Sequence, residues 1–451
     1  MRIANTLSPG NLFLFLLLLQ IPCLAEEPVP KPNVILILAD DLALGDLSFL
    51  NEGLTRTPHI DRLKSESIWF SQAYSASAVC APARAALLTG RYPHRTGVVT
   101  LNQITYPNMT SLKKDEVTLG NIFQQNGYKT GLIGKWHCGL NPEHHPYQRG
   151  FDEFEGFINH KDVPSYFRYR LRMNDRIELF EDKYLTTDLG ERAIQFVRRH
   201  REEPFFLHLA HYAPHRPIEA PEDRVTPYLK KGFSEEIATV YAMVEIMDET
   251  IGQLMAELDR LNLSGNTLVI FASDNGPDPV VESRFNLELR GTKYTIHEGG
   301  IRVPLMIRWT DHFDPGTRQQ VVHFTDITPT LMELCHLKRT CELPLDGASF
   351  APLLRGDTTK TNRPLYWQWN RGVPRYTHNA AIREGDWKLV RPFVTRNLPK
   401  QDSDQPPLLF HLKSDPHEQD NLANQHPGRV TRMQNLLETW ALAVEESRQR
   451  P

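Results

Sequence analysis

Five short runs of apolar, largely β-branched residues punctuate this 451-residue chain: 33–39 (NVILILA), 128–133, 205–210, 267–272 and 303–309. Runs of this length and composition form strands covered on both faces, and helical patterns separate them. Ser234 to Leu261 carries Ile237, Val240, Tyr241, Val244, Met247, Ile251, Leu254 and Leu258 at helical spacing, and Thr187 to His200 reads as a second helix. Strand, helix, strand in alternation predicts an α/β fold: a large mixed, mainly parallel sheet flanked by helices. After about residue 345 the pattern changes. Short strand-like pieces at 364–370, 380–382, 387–390 and 408–412 precede one helical stretch, Gly428 to Ser447. That change predicts a smaller antiparallel sheet with a terminal helix, so the expected division is 33–345 and 346–451.

The first 25 residues read differently. Arg2 is followed by eight residues of only Leu and Phe (Leu12 to Leu19), and Cys23 and Ala25 place small residues before a cleavage point after residue 25. This is the pattern of a secretory signal peptide. The run is too short to span a bilayer, which needs roughly 20 apolar residues, and Pro22 disfavours a lipid anchor on Cys23, so no stable membrane anchor is expected. The mature protein is expected to be exported: periplasmic, extracellular or, in a eukaryote, secretory or lysosomal. Charge names no partner. Lys plus Arg number 51 against 55 Asp plus Glu, which gives no electrostatic reason to expect nucleic acid. Of five cysteines, Cys335 and Cys341 lie close enough in sequence to close a small loop, and whether they pair stays open; no CxxC pair points to zinc. Asn108 and Asn262 are glycan acceptors in a eukaryotic secretory route.

Candidate chemistry gathers where the predicted strands end. Strand 33–39 runs into Asp40-Asp41, 128–133 into Gly134-Lys135-Trp136-His137, 205–210 into His211 through His215, and 267–272 into Ser273-Asp274-Asn275-Gly276. Each has an ordinary reading as a turn, cap or surface residue, but open α/β sheets bind ligands beyond the carboxyl ends of their strands. Two adjacent carboxylates plus an Asp-Asn pair are hard oxygen donors that suit Ca²⁺ or Mg²⁺. Arg84, Lys135, His137, His215 and Lys293 suit an anion facing that metal. Cys80 begins Cys80-Ala-Pro82-Ala-Arg84, with Pro82 in the first turn of a helix that Gly90 stops. A thiol at a helix N-terminus lies in a positive field.

The Cys80-x-Pro82-x-Arg84 core with Leu88-Thr-Gly-Arg91 resembles the signature of the type I, formylglycine-dependent sulfatases of the alkaline-phosphatase-like superfamily. Asp40-Asp41, Gly134-Lys-Trp-His137, Ala213-Pro-His215, Ser273-Asp-Asn-Gly276, Arg290-Gly-Thr-Lys293, Gly385-Asp-Trp-Lys-Leu389 and Leu412-Lys-Ser-Asp-Pro416 extend the resemblance over about 33–425. It implies one Ca²⁺ held by Asp40, Asp41, Asp274 and Asn275, faced by a Cα-formylglycine made from Cys80 by a formylglycine-generating enzyme. The hydrated aldehyde would attack sulfur and later expel sulfate. Arg84 and Lys135 would stabilise its oxygen, His137 would be the base, and His215 and Lys293 would hold sulfate, with His215 the acid. The implied substrate is a sulfate ester, an aryl sulfate or a sulfated glycan.

Ala81 and Ala83 depart from the small hydroxyl residues often seen in the core, and Cys138 raises the prospect of a second thiol near the site. His144, His145 and His160 are candidates for a further sulfate contact. Trp367, Trp369 and Arg371 read either as a sugar-stacking wall or as core residues. The competing functions are a phosphodiesterase or phosphonate hydrolase of the same superfamily, and a non-catalytic binder of sulfated glycans.

Overall fold

A computed structural model describes residues 31–450 apart from Asn102, Ile104, Asp175, 282–283, 360–362 and 395–401. The expected signal segment, 1–25, lies outside the described residues. The apolar run NVILILA becomes β1 (Asn33–Ala39), buried along its whole length. Nine strands join it in one ten-stranded sheet: β2 (Ile68–Tyr74), β3 (Lys129–Lys135), β4 (Glu153–Phe157), β5 (Tyr169–Met173), β6 (Arg176–Phe180), β7 (Phe205–Ala210), β8 (Thr267–Ser273), β9 (Leu305–Arg308) and β10 (Gly316–His323), in the order β10-β2-β9-β8-β1-β7-β3-β4-β5-β6. The central strands β8, β1, β7, β3 and β4 are mutually parallel; β9 runs antiparallel to both neighbours, and β5 and β6 form an antiparallel edge. The fold is the mixed, mostly parallel α/β sheet expected.

Two apolar layers cover the sheet. Helix Glu235–Arg260, capped by Ser234 Oγ on the Ile237 N–H, packs with helix Leu185–Arg199 on one face. Helix Cys80–Thr89 and helix Ile327–Leu334 lie on the other. Of the strands that the apolar runs did not mark, β2 (IWFSQAY) and β4 (EFEGF) lie inside the sheet, and the others have an open side or a charged alternation. β5 (YRLRM) and β6 (RIELF) end the sheet with most of β6 exposed, and β10 (GTRQQVVH) is the opposite edge. An edge strand needs no continuous apolar run.

A second, antiparallel sheet follows, ordered β11 (Leu365–Gln368), β12 (Ala380–Glu384), β13 (Trp387–Arg391) and β14 (Leu408–His411). One face meets helix Pro427–Gln449 through Met433, Leu437, Trp440 and Val444. The other packs Trp367, Ala381, Val390 and Phe410 against Tyr74, Ala78, Ile296 and Ile301. Trp367 and Trp369 are each 1% exposed, and Trp367 Nε1 donates to Ser75 O at 2.7 Å. They are core residues, which excludes the sugar-stacking reading. Cys335 is buried in the main core while Cys341 is partly exposed, and both are free thiols, so the loop between them is not bridged.

Phe206 on β7 stacks on Phe123, with ring centroids 4.3 Å apart at 15°, in the middle of the parallel sheet. Truncating it should cost about 3–5 kcal/mol. Ile177 on β6 is 56% exposed, and its alanine variant should stay within about 0.5 kcal/mol of the parent. Urea unfolding of F206A and I177A measures both.

Candidate active site

Parallel register brings the polar strand exits to one edge. Ala39 pairs with Ser273, Leu38 with Ala210, and Gly134 with Ala210, so the residues that follow β1, β8, β7 and β3 emerge together. Asp40, Asp41, Asp274 and Asn275 are fully buried there. Carboxylate oxygens of Asp40, Asp41 and Asp274 lie within 4.8 Å of one another. Asn275 Nδ2 donates to Asp41 Oδ1 at 2.6 Å, and the Asp41 N–H donates to Asp274 Oδ1 at 3.2 Å. Asp41 adopts φ 64° and His137 φ 62°. Left-handed backbone at a non-glycine residue is held by its surroundings, and here it turns both side chains into the site.

Cations face the acids from three elements. Lys135 Nζ, at the end of β3, is 2.5 Å from Asp40 Oδ2. Arg84, one turn into helix Cys80–Thr89, places Nη2 3.2 Å from Asp40 Oδ2 and 2.8 Å from Asp274 Oδ2. Lys293 Nζ donates to Asp41 Oδ2 at 2.7 Å. Burial pushes the Asp40 carboxyl up, yet Lys135, His215, Arg84 and Lys293 together outweigh it and hold that carboxyl well below the usual range. Asp274 moves the other way, raised by burial and by the neighbouring Asp40 charge. Burial by itself would lower the Lys293 ammonium; Asp41, Cys80 and Asp40 raise it.

Cys80 opens its helix with Val79 as the cap, and Gly90 closes it at φ 70°, as the sequence predicts. All ten residues of the helix are buried. Cys80 Sγ lies 3.4 Å from His137 Nδ1 and within 4.8 Å of ligand atoms of Asp40 and His215. His215 Nδ1 bonds to Arg216 O at 2.7 Å, which fixes the proton on Nδ1 and leaves Nε2 facing Asp41 Oδ2 at 3.6 Å. Burial, then the neighbouring cations, hold both His137 and His215 well below the ordinary histidine value. All the predicted site residues are thus brought together: Asp40, Asp41, Cys80, Arg84, Lys135, His137, His215, Asp274, Asn275 and Lys293.

The secondary candidates divide. Cys138 follows His137 but turns into the main apolar core, where burial pushes its thiol up to about 12, so it is not a second site thiol. His144 and His145 bond locally, to Arg149 and to Leu140 O. His160 lies in the short turn His160–Asp162, exposed and within electrostatic reach of His137, Lys135 and Lys293. Sequence reasoning missed Arg284, whose Nη2 donates to Asp41 O at 2.7 Å, and Asp278, 3.7 Å from Lys293 Nζ and 2.5 Å from Arg216 Nη2. Asp278 follows Asp274 by only four positions, a proximity that would have flagged it; Arg284 carries no such signal.

Asp40 Oδ1 and Asn275 Oδ1 are buried and accept no hydrogen bond. Unpaired oxygens beside three carboxylates form the all-oxygen donor set that hard divalent cations take. A cation-ringed acid cluster at the carboxyl edge of this sheet fits a hydrolase of the alkaline-phosphatase-like superfamily, the class that the sequence motifs resemble. Comparison with known proteins narrows the class. The Sulfatase family model matches residues 32–337, and that of N-sulphoglucosamine sulphohydrolase, C-terminal, matches 292–444. The chain is 31% identical to human N-acetylgalactosamine-6-sulfatase, covering 86% of this chain and 80% of that protein. It is 29% identical to N-acetylgalactosamine-6-O-sulfatase of Bacteroides thetaiotaomicron, covering 91% and 93%. The crystal structure of Ps i-CgsB in complex with k-i-k-neocarrahexaose superposes with a TM-score of 0.80 at 30% identity, covering 93% of this chain and 94% of that one. The chain belongs to the sulfatase family and is a sulfatase.

Among the described residues Arg84 is the one side chain that forms ion pairs with both Asp40 and Asp274, and both carboxylates are fully buried. Arg84→Met leaves them short of one cation, so unfolding free energy should fall by about 3–5 kcal/mol. Chemical denaturation of the variant checks this; an unchanged midpoint would show that the pair is not load-sharing.

Proposed function

We propose that this sulfatase releases inorganic sulfate from a sulfated carbohydrate, using a Cα-formylglycine made from Cys80 and one Ca²⁺ held by Asp40, Asp41, Asp274 and Asn275. The observation that carries the reading is the placement of Cys80, first in a buried helix, 3.4 Å from His137 and facing the acid cluster. The modified residue, hydrated, would supply the nucleophile, and the metal would polarise the sulfate oxygens. His137 is the base that serves position 80. His215 presents Nε2 into the site and acts as acid toward the leaving oxygen once the bound anion draws a second proton onto Nε2, the first being held on Nδ1 by Arg216 O. Lys293 and His215 hold the sulfate, while Arg84 and Lys135 keep Asp40 ionised and stabilise negative charge at position 80.

Relatives named for sulfate on N-acetylgalactosamine, and a structural neighbour solved with neocarrahexaose, support a carbohydrate ester over an aryl sulfate. Among the described residues no helix is long and apolar enough to cross a membrane. With the signal pattern at 1–25 this supports an exported enzyme that meets a formylglycine-generating partner during maturation.

Mass spectrometry of the Cys80 peptide from active protein tests the reading: the aldehyde is expected, and an unmodified thiol throughout an active sample overturns it. Cys80→Ala should lower sulfate release by on the order of 10⁴-fold or more. Matched sulfate and phosphate esters should be turned over in favour of sulfate. For the metal, Ca²⁺ at a hundredfold excess over its Kd should add about 2.7 kcal/mol of stability. Thermal unfolding should show that gain as a higher midpoint in the parent and no gain in Asp41→Ala.

A further inference from the structure

The segment that carries Lys293 is held from a side that the chemistry above does not use. Two backbone bonds tie it to the catalytic strand exits: the Lys293 N–H donates to Pro277 O at 2.9 Å, and the Tyr294 N–H to Ala78 O at 2.9 Å, two residues before Cys80. Tyr294 itself sits at φ 79°, a left-handed conformation that a bulky residue keeps only when its surroundings over-determine it. The small-sheet region supplies those surroundings. Asn379, 1% exposed, donates to Tyr294 O at 2.8 Å and accepts from the Ile296 N–H at 3.1 Å, so one amide brackets the strained peptide. The same Nδ2 also reaches Trp369 O at 2.9 Å.

Glu418 clamps both ends of the segment. Its carboxylate accepts from the Glu298 N–H at 2.7 Å and meets His297 Nδ1 at 3.1 Å, and its backbone carbonyl accepts from Arg290 Nη1 at 2.9 Å. Lys388 on β13, fully buried, then bridges Glu298 at 2.8 Å and Glu418 at 3.0 Å. Lys388 and Glu418 fall in or beside the C-terminal motifs Gly385–Leu389 and Leu412–Pro416, to which the active site itself gives no role. A plain ion pair between two sheets would need one contact. Here the bonds fall on both sides of Lys293, at Arg290, Tyr294, Ile296, His297 and Glu298.

We propose that Asn379 and Glu418 are positioning residues: they press the segment 290–298 against Ala78 and thereby set where Lys293 Nζ meets the sulfate. This rests on the assignment of Lys293 to sulfate binding. Misplacing a binding group by an ångström costs up to about 100-fold, and a lysine on a loosened loop is misplaced in this sense.

The test is a double-mutant cycle on the full-length, modified enzyme, reading kcat/KM on an aryl sulfate and the inhibition constant of inorganic sulfate. Asn379→Gly tolerates the positive φ of residue 379 and removes all three side-chain bonds, to Tyr294, Ile296 and Trp369. It should lower kcat/KM about 10-fold and weaken inorganic sulfate by a similar factor. Asn379→Asp, which retains the acceptor for Ile296, should fall between. On a Lys293→Ala background Asn379→Gly should cost less than about 2-fold more, because no lysine remains to be placed. A full multiplicative loss on that background, or an unchanged sulfate constant with only a lower melting point, overturns the positioning role. If Lys293→Ala alone leaves the sulfate constant unchanged, the assignment of Lys293 fails and the inference falls with it. Should Asn379→Gly not fold, Arg290→Ala is the substitute: Arg290 is exposed, and its loss frees one tie to Glu418 without stranding a buried charge. A shift of about 2-fold in the sulfate constant, lost on the Lys293→Ala background, is then expected, and no shift overturns the inference.

Discussion

Three carboxylates in one buried spot are the constraint that organises this molecule. Asp40, Asp41 and Asp274 lie within mutual reach of a single cation, and like charges so close, away from water, cannot persist without opposite charge. Arg84, Lys135 and Lys293 supply it, and each arrives on a different element: a helix, a strand end and a loop. The cluster therefore fixes the relative placement of those elements as well as their charges. The near-neutral total of the chain conceals this local segregation, because acids at the centre and bases around them cancel in the sum.

Much of that arrangement was legible because parallel strands leave little freedom. Once β1, β7, β8 and β3 lie side by side, the residues after each must emerge at one edge, so Asp40-Asp41, His215, Asp274-Asn275 and Lys135-Trp-His137 converge whatever the rest of the chain does. Cys80 was legible from a proline in the first turn and a glycine stop, both of which act locally. Lys293, by contrast, follows no strand, and only its charge sets it among the anion-facing candidates. Its placement depends on Asn379 and Glu418, more than 80 and 120 residues further on, a dependence that no local pattern reveals.

The parts that sequence did not disclose share a physical cause. β5 and β6 alternate charge with apolar side chains and finish the sheet with an open face, so they present no continuous apolar run to detect. Arg284 reaches the Asp41 carbonyl from a loop, and its partner Asp46 sits on a separate turn. Trp367 and Trp369 look like surface aromatics in a strand of mixed character, but the small sheet is covered on both faces, by the terminal helix and by the region around Tyr74, which leaves no side for a sugar. Period-2 reasoning assumes that one face of a short antiparallel sheet is wet; here neither is.

The two neighbouring cysteines show how narrowly the fold selects its chemistry. Cys80 and Cys138 are both buried, and both have thiols that burial raises, so neither solvent access nor acidity distinguishes them. Direction does. The left-handed turn at His137 sends its ring toward Cys80 while Cys138, one residue on, enters the apolar core beneath. Cys80 meets the positive end of a helix, His137 and the ligand atoms of Asp40 and His215. A thiol enclosed by apolar side chains contributes packing, whereas Cys80 is set among a histidine, cations and carboxylates, the surroundings that support its proposed role.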